Sequence, residues 1–506
     1  MTSASGKRNR KRHKTSLHRV VESPHPVEAR VEVSRHAFRE WMVPLALALA
    51  AFALRAARLH LVAFPMTDEG PMAEAGREML RGRIPYASFP LFHMPLVPLG
   101  IGLGLKLLGS MYAVRLLYLA ANCLAVVPLY YFLKRVHPSR LAATTAVLFY
   151  LAFGEMGKAD FGFVAIRQTA NLFFILFLFL SLKPLSSRNW LAETLLSILS
   201  LSTFLPTGLN LLAAGMASVL QEQNRAARSR RWLGYAAMGG IALLFLLLFF
   251  TTMRGSWQQA VLGQIARAPT DRLARMHMIL GMPHDRLFYI LSTASLASGS
   301  YFCTGLRPHM VAMLVIILGA IFIPSNFLFQ YPVIAAPAFC FGIFAFVLQA
   351  EKLLLTLAPK LASRVLLLVC VVASIAQLWL ASGVYRQVWL EEDGKEYLEL
   401  VGRLAKVRGP LLTLQPIYAV DARLDLVPDL DELYLRAPVL RRTYSIADYL
   451  AAGKKASVIL VERRARGQIP QDVIRTWAQT WSLEFQNGLG AILIPPPRPS
   501  SVAQPR

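Results

Sequence analysis

Four carboxylates stand out. Asp68, Glu69, Glu74 and Glu78 fall within eleven consecutive residues of a stretch that is otherwise poor in acids. Of the 29 acids, fourteen lie in the last 122 residues and four in the first 40, which leaves eleven between Trp41 and Val384. In Pro65-Met66-Thr67-Asp68-Glu69-Gly70 a carboxylate follows directly on an apolar run, where water and lipid headgroups meet. Partial desolvation there raises its basicity and suits it to general-base work. The same residues suit a helix start. Thr67 or Asp68 can cap a helix over Pro71–Arg81, with Glu69 and Glu74 near its positive end. One residue can do both.

A second constellation is Glu155-Met156-Gly157-Lys158-Ala159-Asp160 with Arg167, the only charges between Arg140 and Lys183. Charges grouped at a membrane are expensive and point to function, although an ion pair closing the loop satisfies the same pattern. Lys158 and Arg167 are expected to reach one surface with Arg115. Arg grips phosphate bidentately and Lys acts as a point charge, so a lipid phosphate or pyrophosphate is a natural ligand. Snorkelling is the bland role for Arg115. His93, in Phe89-Pro-Leu-Phe-His93-Met-Pro-Leu, suits a hydrogen bond better than a metal. His277, His284 and Asp285 match no strong metal spacing, and no CxxC, HExxH, Walker loop or GxGxxG occurs.

These residues need a scaffold, and composition says which. The 506 residues are 55% hydrophobic and 16% charged, with 54 Lys/Arg and a net charge of +25; mean hydropathy is +0.45. A soluble enzyme carries about 25% charged residues. A soluble, disordered or disulfide-knotted protein is therefore excluded. The four cysteines, Cys123, Cys303, Cys340 and Cys370, all fall in apolar runs, so no disulfide framework is implied.

A crossing needs about 20 mostly apolar residues. The runs that approach this begin at Trp41–Leu61 and Met111–Leu133 and end with Phe327–Leu348 and Val365–Val384. The basic run Lys7–Lys14 precedes the first of them, which places the N-terminus in the cytoplasm. It reads as a topology or anionic-lipid signal rather than a nucleic-acid arm. No cleavable signal peptide is apparent. Treating Phe92–Leu108 as re-entrant or interfacial keeps the later basic loops, among them Lys134/Arg135/Arg140 and Arg225–Arg231, on the cytoplasmic side. The expected fold is an all-α polytopic membrane domain of about eleven transmembrane helices with a small C-terminal extracytoplasmic α/β domain.

The expected organisation is a basic cytoplasmic tail over residues 1–40 and a membrane domain over 41–384 whose first outer loop is 64–110. An extracytoplasmic α/β domain over 385–495 and a disordered Pro-rich tail over 496–506 follow. Within the α/β domain, helices are expected over Glu391–Val407 and Gln471–Trp481. Strands are expected at Leu411–Leu414, Ser457–Val461 and Ala491–Ile494.

The layout resembles the GT-C superfamily of polyprenyl-phosphate-sugar-dependent glycosyltransferases, most closely its protein mannosyltransferase and lipid A aminoarabinose transferase branch. The matching residues are Asp68-Glu69, the helix Ala73–Tyr86, Phe89–Leu99, and Leu107–Leu117 with Gly109 and Arg115. Asp160 matches the second acid of the family, and Phe329–Phe339, with Tyr331 and Pro337, is similar to a late span. The family often carries a Lys or a Pro-Pro pair where His93-Met94-Pro95 stands.

The resemblance implies an inverting transfer of a sugar from a polyprenyl-phosphate donor to a lipid, glycan or protein acceptor at the outer face. It implies Asp68 as base, Glu69 assisting and Asp160 as second acid. Arg115, Lys158, Arg167, His93 and Tyr331 become substrate- or phosphate-binding residues. These residues name no certain cofactor, and a divalent metal is left open with no motif to support it. A transporter or flippase of an anionic lipid-linked substrate is the alternative, but it predicts paired inverted repeats and discontinuous helices near the midplane, whereas the charge here gathers at the outer ends of early spans. A bacterial inner membrane is expected over the endoplasmic reticulum, since no retention signal is recognised.

Overall fold

The computed structural model describes residues 26–57, 69–89, 91, 93–153, 166–262, 271–281, 283–302, 304–324, 331–357, 359–388, 391–427, 445–463 and 469–496. The chain divides into two compact units, residues 1–43 and 44–506. The first contributes the opening part of helix α1 (Pro26–Ala56), which contains Pro44. All further description concerns the second.

After α1 come α2 (Glu69–Leu80), α3 (Leu96–Leu108), α4 (Met111–Leu124), α5 (Val126–Val136) and α6 (Arg140–Leu151). They are followed by α7 (Ile166–Ser181), α8 (Ser187–Thr203), α9 (Thr207–Gln221) and α10 (Arg225–Thr252). Next are α11 (Arg272–Leu280), α12 (Pro283–Phe302), α13 (Arg307–Phe322), α14 (Ala336–Leu357) and α15 (Ala362–Val388). Local chemistry sets the starts. The side chains of Ser110, Ser139, Ser186 and Asn224 each accept a backbone N–H of the first turn of α4, α6, α8 and α10.

The run expected as one span, Met111–Leu133, is two helices that meet at Ala125. Pro128 explains the joint. It lacks the N–H that would bond to the carbonyl of Leu124, so the ladder is interrupted there. Among the described residues, four helical stretches are long and apolar enough to cross a membrane: Met111–Val136, Arg225–Thr252, Pro332–Leu357 and Ala362–Leu380. Five shorter apolar helices accompany them. The Pro332–Leu357 window is 83% buried and that of Arg225–Thr252 only 11%. The first is therefore the centre of the bundle and the second its lipid-facing edge.

Helix α3 has 13 residues, about 20 Å of rise against a hydrocarbon core of about 30 Å. It ends at Gly109, whose φ of 75° a side chain would strain. It packs backbone to backbone on α2, where a Cβ on Gly76 would stand 2.2 Å from the carbonyl oxygen of Pro98.

The C-terminal part contains α16 (Glu391–Leu404), α17 (Pro416–Ala422), α18 (Ile446–Lys455), α19 (Gln471–Thr480) and a four-stranded sheet. Its strands are β1 (Leu411–Leu412), β2 (Val458–Glu462), β3 (Ser482–Gln486) and β4 (Gly490–Ile494), in the order β1-β2-β4-β3. β1 and β2 are parallel, and the other pairs are antiparallel with Ile459 opposite Leu493. All five residues of β2 are buried, whereas β3 is an exposed edge. Tyr397, Leu400, Ile417, Tyr418 and Leu460 belong to the same apolar core as the helical bundle.

Candidate active site

Helix α2 begins at Glu69, two residues before the expected Pro71, and is buried on nearly all sides, with Glu69, Glu74 and Glu78 among its buried residues. Burying three carboxylates requires partners, and each has at least one arginine. Arg115 Nε donates to Glu69 Oε1 and Oε2 at 3.0 and 3.2 Å, and its Nη2 donates to Oε2 at 2.7 Å. Arg77 donates to Glu74 at 3.1 Å, and Arg81 to Glu78 at 2.8 Å. Arg83 also donates to Glu78. The crowding of acids thus has a structural reason: Glu69 anchors α2 to α4, and Glu74 and Glu78 hold the arginines at and just beyond the end of α2.

The Glu69–Arg115 pair is the deepest of the three, with side chains 2% and 7% exposed. Arg115 is therefore not snorkelling. Its guanidinium also feels the Asp421 carboxylate and the Tyr397 phenol. Tyr397 on α16 donates to Asp421 Oδ2 on α17 at 2.6 Å. Burial, with that carboxylate beside it, pushes the Tyr397 phenol up from its ordinary range, so it stays a donor.

The C-terminal part is locked onto the start of α2. A Cβ on Gly70 would lie 2.6 Å from the backbone nitrogen of Ile417. Arg77 donates to the Leu424 carbonyl at 3.0 Å, and Arg77 and Arg81 both pair with Asp425. Arg423, in the left-handed region at φ 58°, donates to the Gly109 carbonyl at 2.9 Å.

Tyr86 also has a left-handed backbone, with φ 66°. A non-glycine residue keeps such a conformation only when its surroundings impose it. Its N–H bonds to Phe89 O at 2.9 Å, its carbonyl accepts from Gln259 at 2.9 Å, and its hydroxyl donates to the His93 carbonyl at 2.6 Å. These contacts tie Tyr86, and through it Phe89 and His93, to Gln259, which also accepts from the Leu91 N–H at 3.0 Å.

The expected site residues divide accordingly. Glu69 and Arg115 meet directly. Arg167 is buried at the start of α7, with its guanidinium 5.4 Å from the Phe204 ring centroid. One residue on, Gln168 accepts from Asn122 of α4 at 2.6 Å, so the helices bearing Arg115 and Arg167 are neighbours. His93 enters through its carbonyl, held by Tyr86. Tyr331 begins a 3-10 turn ahead of α14. Asp68, Lys158 and Asp160 lie outside the described residues, as does Arg58. Arg55 faces the interior and donates to Leu151 O at 2.6 Å. Among the described residues no three His, Cys, Asp or Glu gather as a metal site.

Asp421 and Tyr397 were missed by sequence reasoning. Nothing local marks them, because the contact joins positions roughly three hundred residues apart.

No protein-family model matches the sequence, and no curated protein matches it by sequence. Solved structures do match. ArnT from Cupriavidus metallidurans in its apo state superposes with a TM-score of 0.59 at 15% identity, covering 90% of this chain and 98% of that one. The chain has the ArnT fold. ArnT from the same organism bound to undecaprenyl phosphate gives 0.59 at 14% identity, covering 90% and 99%. The likeness therefore runs through the bundle and the sheet-bearing C-terminal part alike. ArnT is the lipid A aminoarabinose transferase of the GT-C superfamily, so the expected superfamily resemblance holds at the level of fold.

Proposed function

We propose that the protein is an inverting glycosyltransferase that moves a sugar from a polyprenyl-phosphate donor to an acceptor at the outer face of a bacterial inner membrane. The observation that carries this reading is the fold shared over nearly all of both chains with a protein solved holding undecaprenyl phosphate. The buried Glu69–Arg115 pair supports it, because it fixes the start of α2, the helix that follows Asp68 in the sequence.

In this reading the acceptor hydroxyl or amine attacks the anomeric carbon from the face opposite the phosphate. The bond to the phosphate oxygen breaks, and the acceptor proton passes to Asp68. Asp160 orients one of the substrates. Glu69 acts through Arg115 as a positioning residue. Lys158, Arg167 and Arg115 offset the charge that grows on the departing phosphate, while His93 and Tyr331 contact substrate. The reading takes eleven spans, with the N-terminus cytoplasmic and the C-terminal domain outside, so that α2 starts at the face where the lipid-linked sugar is presented.

The test is transfer by purified protein from radiolabelled polyprenyl-phosphate sugars, with wild type beside Asp68→Asn. Wild-type transfer that Asp68→Asn abolishes supports the assignment. No transfer from any donor refutes the function, and a fully active Asp68→Asn refutes the base.

A further inference from the structure

An apolar space lies between α8, α9 and α10, with α7 behind it. Its volume is about 400 Å³, within the range of about 300–1,000 Å³ of small-molecule sites. Phe177, Leu201, Leu211, Gly215, Tyr235 and Gly239 form much of its wall. No lining residue belongs to α2, α3, α4 or the C-terminal part, so the space is separate from the Glu69–Arg115 site. Its polar content is slight. The Ser197 hydroxyl, for example, is already spent on the Glu193 carbonyl at 2.8 Å. Such a wall recognises hydrocarbon. The space opens sideways, because Leu212, Trp232 and Gly239 are exposed.

The charge at one end of this space identifies the occupant. Along α10 the lining residues Trp232, Tyr235, Gly239 and Ala242 recur at steps of three and four, which is one helical face. Carried back towards the helix start, the same face holds Arg228 and Arg225, both exposed. Arg228 precedes Trp232 by four residues, about 6 Å along the axis. Arg230 and Arg188 are also exposed at this end. Buried Arg231 donates to the carbonyls of Ser181 and Lys183 at 2.7 and 3.0 Å, stitching the α7–α8 turn to α10. Trp190 Nε1 donates to Gly234 O at 2.8 Å and joins α8 to the same stretch. Two acids stand near this end: Glu222 faces Arg231 at 3.8 Å, and buried Glu193 lies beside Tyr235 and near Arg231.

We infer that this is a binding site for an anionic phospholipid of the adjoining leaflet, with one acyl chain along α10 in the cavity and the phosphate at Arg225 and Arg228. A neutral lipid can fill the cavity but cannot use the cations.

Trp232 reports the occupant directly. Full-length protein is reconstituted in nanodiscs that contain acyl-brominated phosphatidylglycerol or phosphatidylcholine with matched chains. The Trp232 signal is the difference between wild type and Trp232→Phe. Quenching is expected to favour phosphatidylglycerol, and Arg225→Gln and Arg228→Gln each lower that preference about fivefold, which corresponds to about 1 kcal/mol per cation. Gly239→Leu, whose added Cβ meets nothing within 4 Å, fills the space and lowers quenching by both lipids. Equal quenching by the two lipids, or a preference that survives loss of both arginines, overturns the proposal. Displacement by undecaprenyl phosphate that exceeds displacement by unbrominated phosphatidylglycerol also overturns it, by assigning the space to a polyprenyl chain.

Discussion

Removing one half of the Glu69–Arg115 pair strands the other charge in a dry place. The two side chains are 2% and 7% exposed and share three contacts of 2.7–3.2 Å. Breaking a buried pair from one side costs about 3–5 kcal/mol, whereas replacing both partners with apolar side chains is often close to neutral. The surroundings refine that range. After Glu69→Met, the Asp421 carboxylate still balances part of the Arg115 charge, so the loss is expected at the lower end, about 3 kcal/mol. Arg115→Met leaves two carboxylates without their cation and is expected near the upper end, about 5 kcal/mol. The double variant recovers much of both, with a coupling of at least about 2 kcal/mol. Unfolding of the purified protein in mixed micelles by titrated SDS, followed by circular dichroism, measures all four corners of the cycle. Single losses that add in the double variant to within about 0.5 kcal/mol would refute the reasoning, because independent sites behave that way.

Other outcomes follow from the same contacts. Gly76→Ala drives a methyl into the Pro98 carbonyl and the Gly102 backbone, where neither side can yield. It is expected to cost about 3 kcal/mol and to lower the thermal midpoint, while Gly239→Ala, in open space, does not. Glu462, buried at the end of β2, has its carboxyl pushed up to about 7 by burial, against hydrogen bonds from Thr413 and the Gln415 N–H that pull it down. Its folded pKa is above the unfolded one, so its contribution is complete below about pH 4.5 and is lost as pH rises to about 7, in total about 3 kcal/mol. Wild-type stability relative to Glu462→Gln should fall over that window, and parallel pH profiles would contradict it. A reporter fused at Lys134 should read as cytoplasmic; an outward reading removes the re-entrant role of α3.

Much of the scaffold was legible because hydrophobic periodicity is local. The strands at Leu411, Val458 and Gly490 and the helices at Glu391 and Gln471 start within a residue or so of expectation. β3 escaped because Ser482–Gln486 is an exposed edge with little apolar signal, and α17 because seven residues carry no readable period. Around the site, the acids after the first apolar run were found, but their pairing was not. Which arginine meets which carboxylate depends on where the chain returns, and Glu69 to Arg115 spans 46 positions. Glu74 and Glu78, part of the crowding noted after the first apolar run, are satisfied by arginines within five residues of each. The docking of Asp421 beside Arg115 is longer-range still.

The central claim is that a polyprenyl phosphate leaves as the sugar moves, at the outer face. Right-side-out membrane vesicles carrying the protein, supplied with polyprenyl-phosphate sugars, test it by quantifying the free polyprenyl phosphate released beside the glycosylated acceptor. Equal amounts of the two from wild type, and neither from Asp68→Asn, is the predicted result. Vesicles that bind the donor yet release no polyprenyl phosphate with any sugar or acceptor would contradict it.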